Sequence, residues 1–486
     1  MGQGLEEAER EIDAGGLYLC PGFIDVHCHA DFTVLDESNP RDFKLRQGIT
    51  TEVGGNCGET AAPVNPMRLD LLKTFVAFES PRQGVLSWEW STFDDYLNTL
   101  SGVGIPTNFV PMVGHGTVRI AAMGFENRAP TASELGEMEG YVREAMEAGA
   151  FGFSVGLEYA PGIYAQTPEV IELARVAARH GGVFATHMRD YSDRVMDSLE
   201  ESFQVGREAE LPVVVSHLFV SGPGSTALMK DALAAIDRAC EAGLSVVTDV
   251  FTSAGTTLRL LLPYWVSEGG LDDLYRRLQD PATRGRIREE MAGGSWHNIY
   301  ISRAMTEANR PFQGMSVQEI GKVRGADPAD TVMDLVLEEK CQVSMYGPYG
   351  REEDLRIALA HPLTMIETDA MGYVEGNPPP GQYGTFPRIL ERYVREEKLL
   401  TLEEAVRKMT SLAATTMGLS NKGVIRDGAD ADLVIFNADT IRDRSTFEDP
   451  KQYPEGIEYV LVNGEMVVDK GQYTGNIAGR VMRGEG

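Results

Sequence analysis

The sequence predicts an α/β protein, a (β/α)8 barrel of the TIM type with a small accessory β domain, on three observations. Eight short apolar, β-rich runs alternate with helical patterns, polar residues capable of chemistry stand at the C-terminal ends of those runs, and the texture turns β-rich after about residue 420. The runs cover residues 22–26, 49–54, 108–113, 151–155, 183–186, 212–216, 244–249 and 363–368. Helical patterns at 131–148 and 168–179 lie between runs and end near glycine, as helix C-termini often do. Repeated strand-then-helix units make a parallel sheet, for which a closed barrel and an open doubly wound sheet are the two solutions. His27, His29, Cys57, His187, His217 and Asp369 all end a run. Barrel strands bring those ends to one mouth, which favours the barrel.

The organisation expected from this pattern is a barrel over residues 21–420 with an insertion at about 251–360, flanked by residues 1–20 and 421–486, which together form the β domain. The insertion has helical patterns of its own at 271–279 and 330–339. In the tail, two apolar runs surround Asn463-Gly464, a dipeptide that favours a tight hairpin. Pro378 to Pro380 make a short stiff loop after the last run.

The 486 residues are 43% hydrophobic, enough for a large core. The chain has 73 acidic and 44 basic residues, a net charge of −29 that argues against nucleic acid as a partner. No apolar run reaches the roughly 18 residues that a membrane span needs, and the first ten residues are charged where a secretory signal is apolar. Glu6 breaks a myristoylation motif after Gly2. Five scattered cysteines, at 20, 28, 57, 240 and 341, suit free thiols or a metal ligand in a reducing compartment, so a cytoplasmic protein is expected.

His27 and His29 lie two apart at the end of the first run, where strand geometry turns both rings to one face and Cys28 to the other. Such a pair can converge on one divalent cation. Cys57 follows Gly54-Gly55-Asn56, a glycine-rich turn that can aim a thiolate, a strong zinc ligand, into the mouth. His187 and His217 terminate adjacent runs, and the whole set fits one or two metals. Asp369 ends the last run, where a carboxylate near a metal can take a proton from water.

These residues fall within Pro21-Gly-Phe-Ile-Asp-Val-His-Cys-His, Gly48-Ile-Thr-Thr-Glu-Val-Gly-Gly-Asn-Cys-Gly, Val113-Gly-His-Gly, Phe151-Gly-Phe-Ser-Val-Gly-Leu-Glu-Tyr, Ala185-Thr-His-Met-Arg, Ser216-His, Thr368-Asp, Gly384-Thr-Phe-Pro-Arg and Ala429-Asp-Ala-Asp-Leu-Val-Ile-Phe. With them the chain resembles the amidohydrolase superfamily and, within it, the N-acyl-D-amino-acid deacylase (D-aminoacylase) family. The resemblance implies a tightly bound Zn2+ on Cys57, His187 and His217, a second and weaker position at His27 and His29, and Asp369 as general acid/base. Many relatives elsewhere in the superfamily bridge two metals with a carbamylated lysine on the fourth strand. No lysine occurs here between Lys73 and Lys230, which leaves Cys57 as the bridge.

The expected reaction is zinc-dependent hydrolysis of an amide C–N bond other than a peptide bond, in a small-molecule substrate. The alternatives are a cyclic amide or imide hydrolase of the dihydroorotase or hydantoinase type and a noncatalytic scaffold on the same fold. Tyr159 and His115 match family positions at the mouth, and Arg189 and Arg388 supply basic groups there. Relatives hold the substrate carboxylate with a lysine, a tyrosine and an arginine. At those places this chain has Phe219, Val250-Phe251-Thr252 and Gly381, so altered specificity is expected. Relatives also begin with β-strands that pair with the tail. About twenty residues precede the first run here, so a reduced β domain is expected, with edges that a second copy in a homo-oligomer could cover.

Overall fold

The computed structural model describes residues 10–39, 42–81, 85–222, 224–347, 350–373 and 375–484. All eight apolar runs form strands, and all are parallel to their neighbours. Phe23–Asp25, Ile49–Gly54 and Asn108–Pro111 pair in that order. Val113–Gly114, Gly152–Gly156, Val183–His187, Val213–Val215, Val246–Val250 and Thr364–Ile366 form a second parallel series, also in order. Strands buried on both faces read as continuous apolar runs, which is why the sequence pattern found them.

The third run divides at Met112, whose N–H bonds to the Gly54 carbonyl at 3.0 Å. Its first half pairs backward with Ile49–Gly54 and its second half forward with Gly152–Gly156, so one extended segment serves both series. At the other end of the order, Cys28 and Ala370 form a parallel bridge between the continuations of the first and last strands. The Asp369 N–H donates to the His27 carbonyl at 3.0 Å and the His29 N–H to the Ala370 carbonyl at 2.9 Å. Ile24, Val53, Val110, Val183, Val214, Val247 and Met365, from seven of the strands, meet in one buried apolar cluster.

Buried charge reinforces the contact between the first and last strands. The Asp25 carboxylate accepts from the Thr368 N–H at 3.0 Å and from its hydroxyl at 2.6 Å. Lys44, also buried, pairs with Asp25, lies 3.3 Å from Glu52 and donates to the Thr368 hydroxyl at 2.7 Å. The neighbouring carboxylates outweigh the desolvation of Lys44 and hold its pKa above the usual lysine value, so it stays charged.

Helices follow the strands as their caps dictate. Ala132–Ala148 opens on a Thr131 and Glu134 capping box and stops at Gly149, whose φ of 108° suits glycine. Between the seventh and eighth strands, Gly255–Thr257, Ser344–Tyr346 and Tyr300–Arg303 make an antiparallel sheet. The helices Leu271–Gln279, Pro281–Glu290, Val317–Arg324 and Pro328–Glu338 share a separate apolar cluster with it, built from residues such as Leu274, Ile301, Ile320, Val332 and Met345. In the tail, Leu433–Phe436, Ile457–Val462, Glu465–Asp469 and Gln472–Tyr473 form an antiparallel sheet that Tyr18–Pro21 completes at one edge. Asn463 and Gly464 turn the hairpin with φ of 50° and 86°, the positive pair a tight two-residue turn requires. Among the described residues no helix is long and apolar enough to cross a membrane.

Removing Lys44 leaves Asp25 and Glu52 buried without their cation, a change that typically costs about 3–5 kcal/mol. Lys44→Met is therefore expected to lower the urea midpoint of unfolding sharply, whereas Arg10→Met, which removes an exposed pair with Asp469, shifts it little. Equal midpoints for the two variants would contradict the role given to Lys44.

Candidate metal centre and its cavity

The ends of the first, second, sixth and eighth strands meet at one place. Cys57 Sγ lies 3.2 Å from His27 Nε2 and 3.4 Å from His217 Nε2. His29 Nε2 lies 3.2 Å from Asp369 Oδ1, and His27 Nε2 lies 3.8 Å from the same oxygen. Three groups of possible ligand atoms meet here, His27 with Cys57 and His217, His27 with His29 and Asp369, and His29 with Glu59 and Glu79. His187 stands beside the first group, its ring centroid 4.6 Å from that of His217, but its Nε2 is turned 2.8 Å from Glu158. The structure thus brings together all six residues expected at the mouth, while grouping His27, rather than His187, with Cys57 and His217.

Backbone constraints deliver these side chains. Cys57, His217 and Asp369 adopt positive φ of 55°, 35° and 48°, a region costly for non-glycine residues and found where a site over-determines the chain. The Cys57 turn also depends on Gly55, where a Cβ would lie 2.2 Å from the Met112 carbonyl oxygen. The His217 N–H is anchored on the Asp249 carboxylate, and the Tyr159 hydroxyl donates to the Cys57 carbonyl at 2.6 Å.

Charge is arranged to hold a cation. Burial alone would push the Cys57 thiol up, but the His27 and His217 charges and hydrogen bonds from His187 and His217 hold it well below the usual thiol range. Asp369 is likewise held low against burial by its bond to His29 and by the charges of His27, His29 and His217. A tetrahedral zinc with its normal S and N bond lengths spaces those two ligand atoms about 3.5 Å apart. The observed 3.2 and 3.4 Å fit that spacing, and a buried thiolate among imidazoles suits zinc chemically.

A cavity of about 280 Å³ lies over these groups. Tyr159, Ile163, Phe219 and Phe251 wall one part, and Arg259, Leu262, Tyr264 and Ser267 the part beyond them. Three other expected residues have partners away from it. His115 is fully buried at a helix start, 2.9 Å from Glu169, which also binds Arg119, and it does not line the cavity. Arg189 is spent on Glu201 and on the Ile163 and Ala165 carbonyls. Arg388 pairs with Asp443 at 3.0 Å and lines a neighbouring cavity behind Phe219.

Several carboxylates at the site had no assigned role in the sequence reading. His29 Nδ1 lies 2.8 Å from Glu79 and 3.8 Å from Glu59, and His27 Nδ1 lies 3.9 Å from Asp249. The 2.8 Å contact lacks hydrogen-bond alignment, leaving both Glu79 oxygens without a donor. Burial and the Glu79 charge push Glu59 well above the usual carboxylate range. Asp249 closes the seventh run, Glu59 follows Cys57-Gly58 and Glu158 precedes Tyr159, so position alone could have flagged these three. Glu79 carries no such signal.

The model of the amidohydrolase family, Amidohydro_3, matches residues 10–244 and 310–468. The chain belongs to the amidohydrolase family. This amidohydrolase is 35% identical to D-aminoacylase of Alcaligenes xylosoxydans xylosoxydans over 98% of its own length and 89% of the relative's. It is 34% identical to N-acyl-D-aspartate deacylase of the same organism, over 96% and 84%. A solved D-aminoacylase with a binuclear metal centre superposes with a TM-score of 0.81 at 35% identity, covering 98% and 91% of the two chains. N-acyl-D-glutamate deacylase from Bordetella bronchiseptica, solved with zinc and a phosphonate mimic of the tetrahedral intermediate, gives 0.80 at 32%, covering 97% and 90%. The amidohydrolase groups with the N-acyl-D-amino-acid deacylases and is a metal-dependent amide hydrolase. Its likeness to D-hydantoinase, at 15% identity and a TM-score of 0.54, is one of fold.

The low pKa of Cys57 sets it apart from Cys20, Cys28 and Cys341, which burial holds protonated. In metal-depleted protein at pH 7, iodoacetamide should therefore label Cys57 first by mass spectrometry, and zinc should protect it. Uniform labelling of the four would contradict a thiolate at Cys57.

Proposed function

We propose that this amidohydrolase uses zinc to hydrolyse the amide C–N bond of a small N-acyl-amino-acid-like substrate in the cavity above Cys57. The observation that carries the reading is a buried cysteine sulfur packed against two imidazoles, with the Asp369 carboxylate beside them on the same cavity floor. Cys57, His187 and His217 would hold the tight zinc, and His27 and His29 would serve the second position, with Cys57, in contact with His27 and His217, as the residue that could reach both.

Bound zinc supplies Lewis-acid polarisation of the scissile carbonyl and lowers the pKa of the attacking water from about 15.7 toward 7. Asp369, held ionised by the histidines, takes the proton of that water and returns it to the leaving nitrogen as the tetrahedral adduct collapses. His29 aligns Asp369 through the 3.2 Å contact. Tyr159 fixes the Cys57 turn, and Phe219 and Phe251 give the substrate an apolar wall where relatives carry polar anchors.

The strand order supports a closed (β/α)8 barrel over residues 21–420, because the third run joins the two parallel series and the Cys28 to Ala370 bridge joins their ends. The separate apolar cluster between Leu258 and Met345 supports an insertion at about 251–360 that roofs the cavity. The five-stranded sheet, in which Tyr18–Pro21 pairs with the tail, supports a β domain made of residues 1–20 with 421–486, of which 1–9 and 485–486 lie outside the described residues. Five free cysteines suit a cytoplasmic enzyme.

Cys57→Ala and Asp369→Ala are each expected to lower kcat/KM for amide hydrolysis at least about 10³-fold, the scale at which loss of an essential group is read. Circular dichroism should remain unchanged, and zinc analysis should show metal lost from Cys57→Ala but retained by Asp369→Ala. A fully active Asp369→Ala protein would sink the mechanism.

A further inference from the structure

A guanidinium taken out of water needs a partner, and the fold supplies one for two of its three buried arginines among the described residues. Arg119 donates to both oxygens of Glu169, at 2.6 and 2.7 Å, and to the Glu126 and Arg128 carbonyls. Arg303 donates to the Ser80 carbonyl at 2.8 Å, stacks 4.5 Å from the Tyr373 ring centroid and lies 3.5 Å from Glu375. Arg259 is 8% exposed, yet its guanidinium has no hydrogen bond or ion pair with any described residue. Its nitrogens are not sealed in protein, and the residue lines the cavity over the metal centre.

None of the charged groups around it makes an ion pair with it. Tyr164, Tyr275 and Cys341 feel its charge, and burial keeps all three protonated and neutral. Glu268, which also acts on Tyr164, makes no ion pair with it. Glu59, Glu158 and Asp369 line the same cavity, but none of them makes an ion pair with Arg259: Glu158 is paired with His187, and Glu59 and Asp369 lie beside His29. Arg259 is the cavity's one arginine or lysine among the lining residues.

The backbone holds it in place. Arg259 sits in the short turn Leu258–Leu261, with its N–H on the Thr257 hydroxyl at 3.3 Å. The preceding Leu258 is fully buried and bonded through its N–H to the Val343 carbonyl at 3.1 Å. A cation so mounted is preorganised for an anion that arrives with the ligand.

We propose that Arg259 is the anion-binding residue of the substrate cavity, pairing with the carboxylate of an N-acyl-amino-acid-like substrate in place of the groups that relatives use. The proposal rests on the amide-hydrolase reading above. It explains how a cavity with Phe219 and Phe251 at its wall takes an acidic substrate. The guanidinium fork matches a carboxylate with two parallel hydrogen bonds, which a lysine in its place would match less well. Arg189 and Arg388 do not compete for this role, because both are engaged with carboxylates elsewhere.

The test uses zinc-loaded protein with N-acetyl-D-methionine and N-acetyl-D-methioninamide, which differ only in the carboxylate, and follows acetate release. The native protein is expected to favour the acid in kcat/KM by about 10- to 100-fold, the range for hydrogen bonds to a charged group. Arg259→Met should raise KM for the acid by a similar factor with kcat little changed, leave the amide's constants as they were, and so abolish the preference. Arg259→Lys should keep part of it. An acid-to-amide ratio unchanged in Arg259→Met overturns the proposal. Titration calorimetry in an Asp369→Ala background reads the same pair without turnover. If native protein hydrolyses neither compound, the amide-hydrolase reading fails for this substrate class, while the calorimetric ratio still decides Arg259: acid bound more tightly only when Arg259 is present supports it, and equal ratios overturn it.

Discussion

Negative charge inside a protein survives only where something positive or hydrogen-bonding meets it, and the Cys57 thiolate imposes that constraint on the whole mouth of this fold. Histidines from two other strand ends, His27 and His217, converge on it at 3.2 and 3.4 Å, and His187 stands beside them. The backbone yields to this demand rather than the reverse. Cys57, His217 and Asp369 sit at positive φ, and the turn before Cys57 admits no side chain at Gly55.

The remainder of the fold keeps that arrangement rigid. The first and last strands carry His27, His29 and Asp369, so their mutual register sets the distance between the Asp369 carboxylate and the histidines. Asp25, Thr368 and Lys44 fix that register below the site with buried hydrogen bonds and ion pairs. A slip of one residue there would turn Asp369 away from His29. The cluster between the seventh and eighth strands acts from above, bringing Arg259 and a lining of leucine and tyrosine over the cavity while keeping a core of its own.

What could be read from the sequence follows from the same physics. Parallel strands buried on both faces left eight recognisable apolar runs, and the histidine and cysteine side chains at their ends stood out because these residues are scarce in such places. The subtler parts were hidden. The third strand looked like one element because division at Met112 changes its partners and not its composition. Glu79 resembles a surface acid in the sequence, and only packing reveals that it is fully buried. Arg259 lies in a leucine-rich stretch with no strand end to mark it. His115 stood in a recognisable Gly-His-Gly context, yet the fold joins it to Glu169 and Arg119 behind the wall of the mouth.

Sulfur coordination by Cys57 is the central proposal, and X-ray absorption at the zinc edge of the zinc-loaded protein measures it directly. The result predicted is a Zn–S shell at about 2.3 Å beside nitrogen and oxygen neighbours near 2.0–2.1 Å. A spectrum fitted by nitrogen and oxygen alone would contradict it.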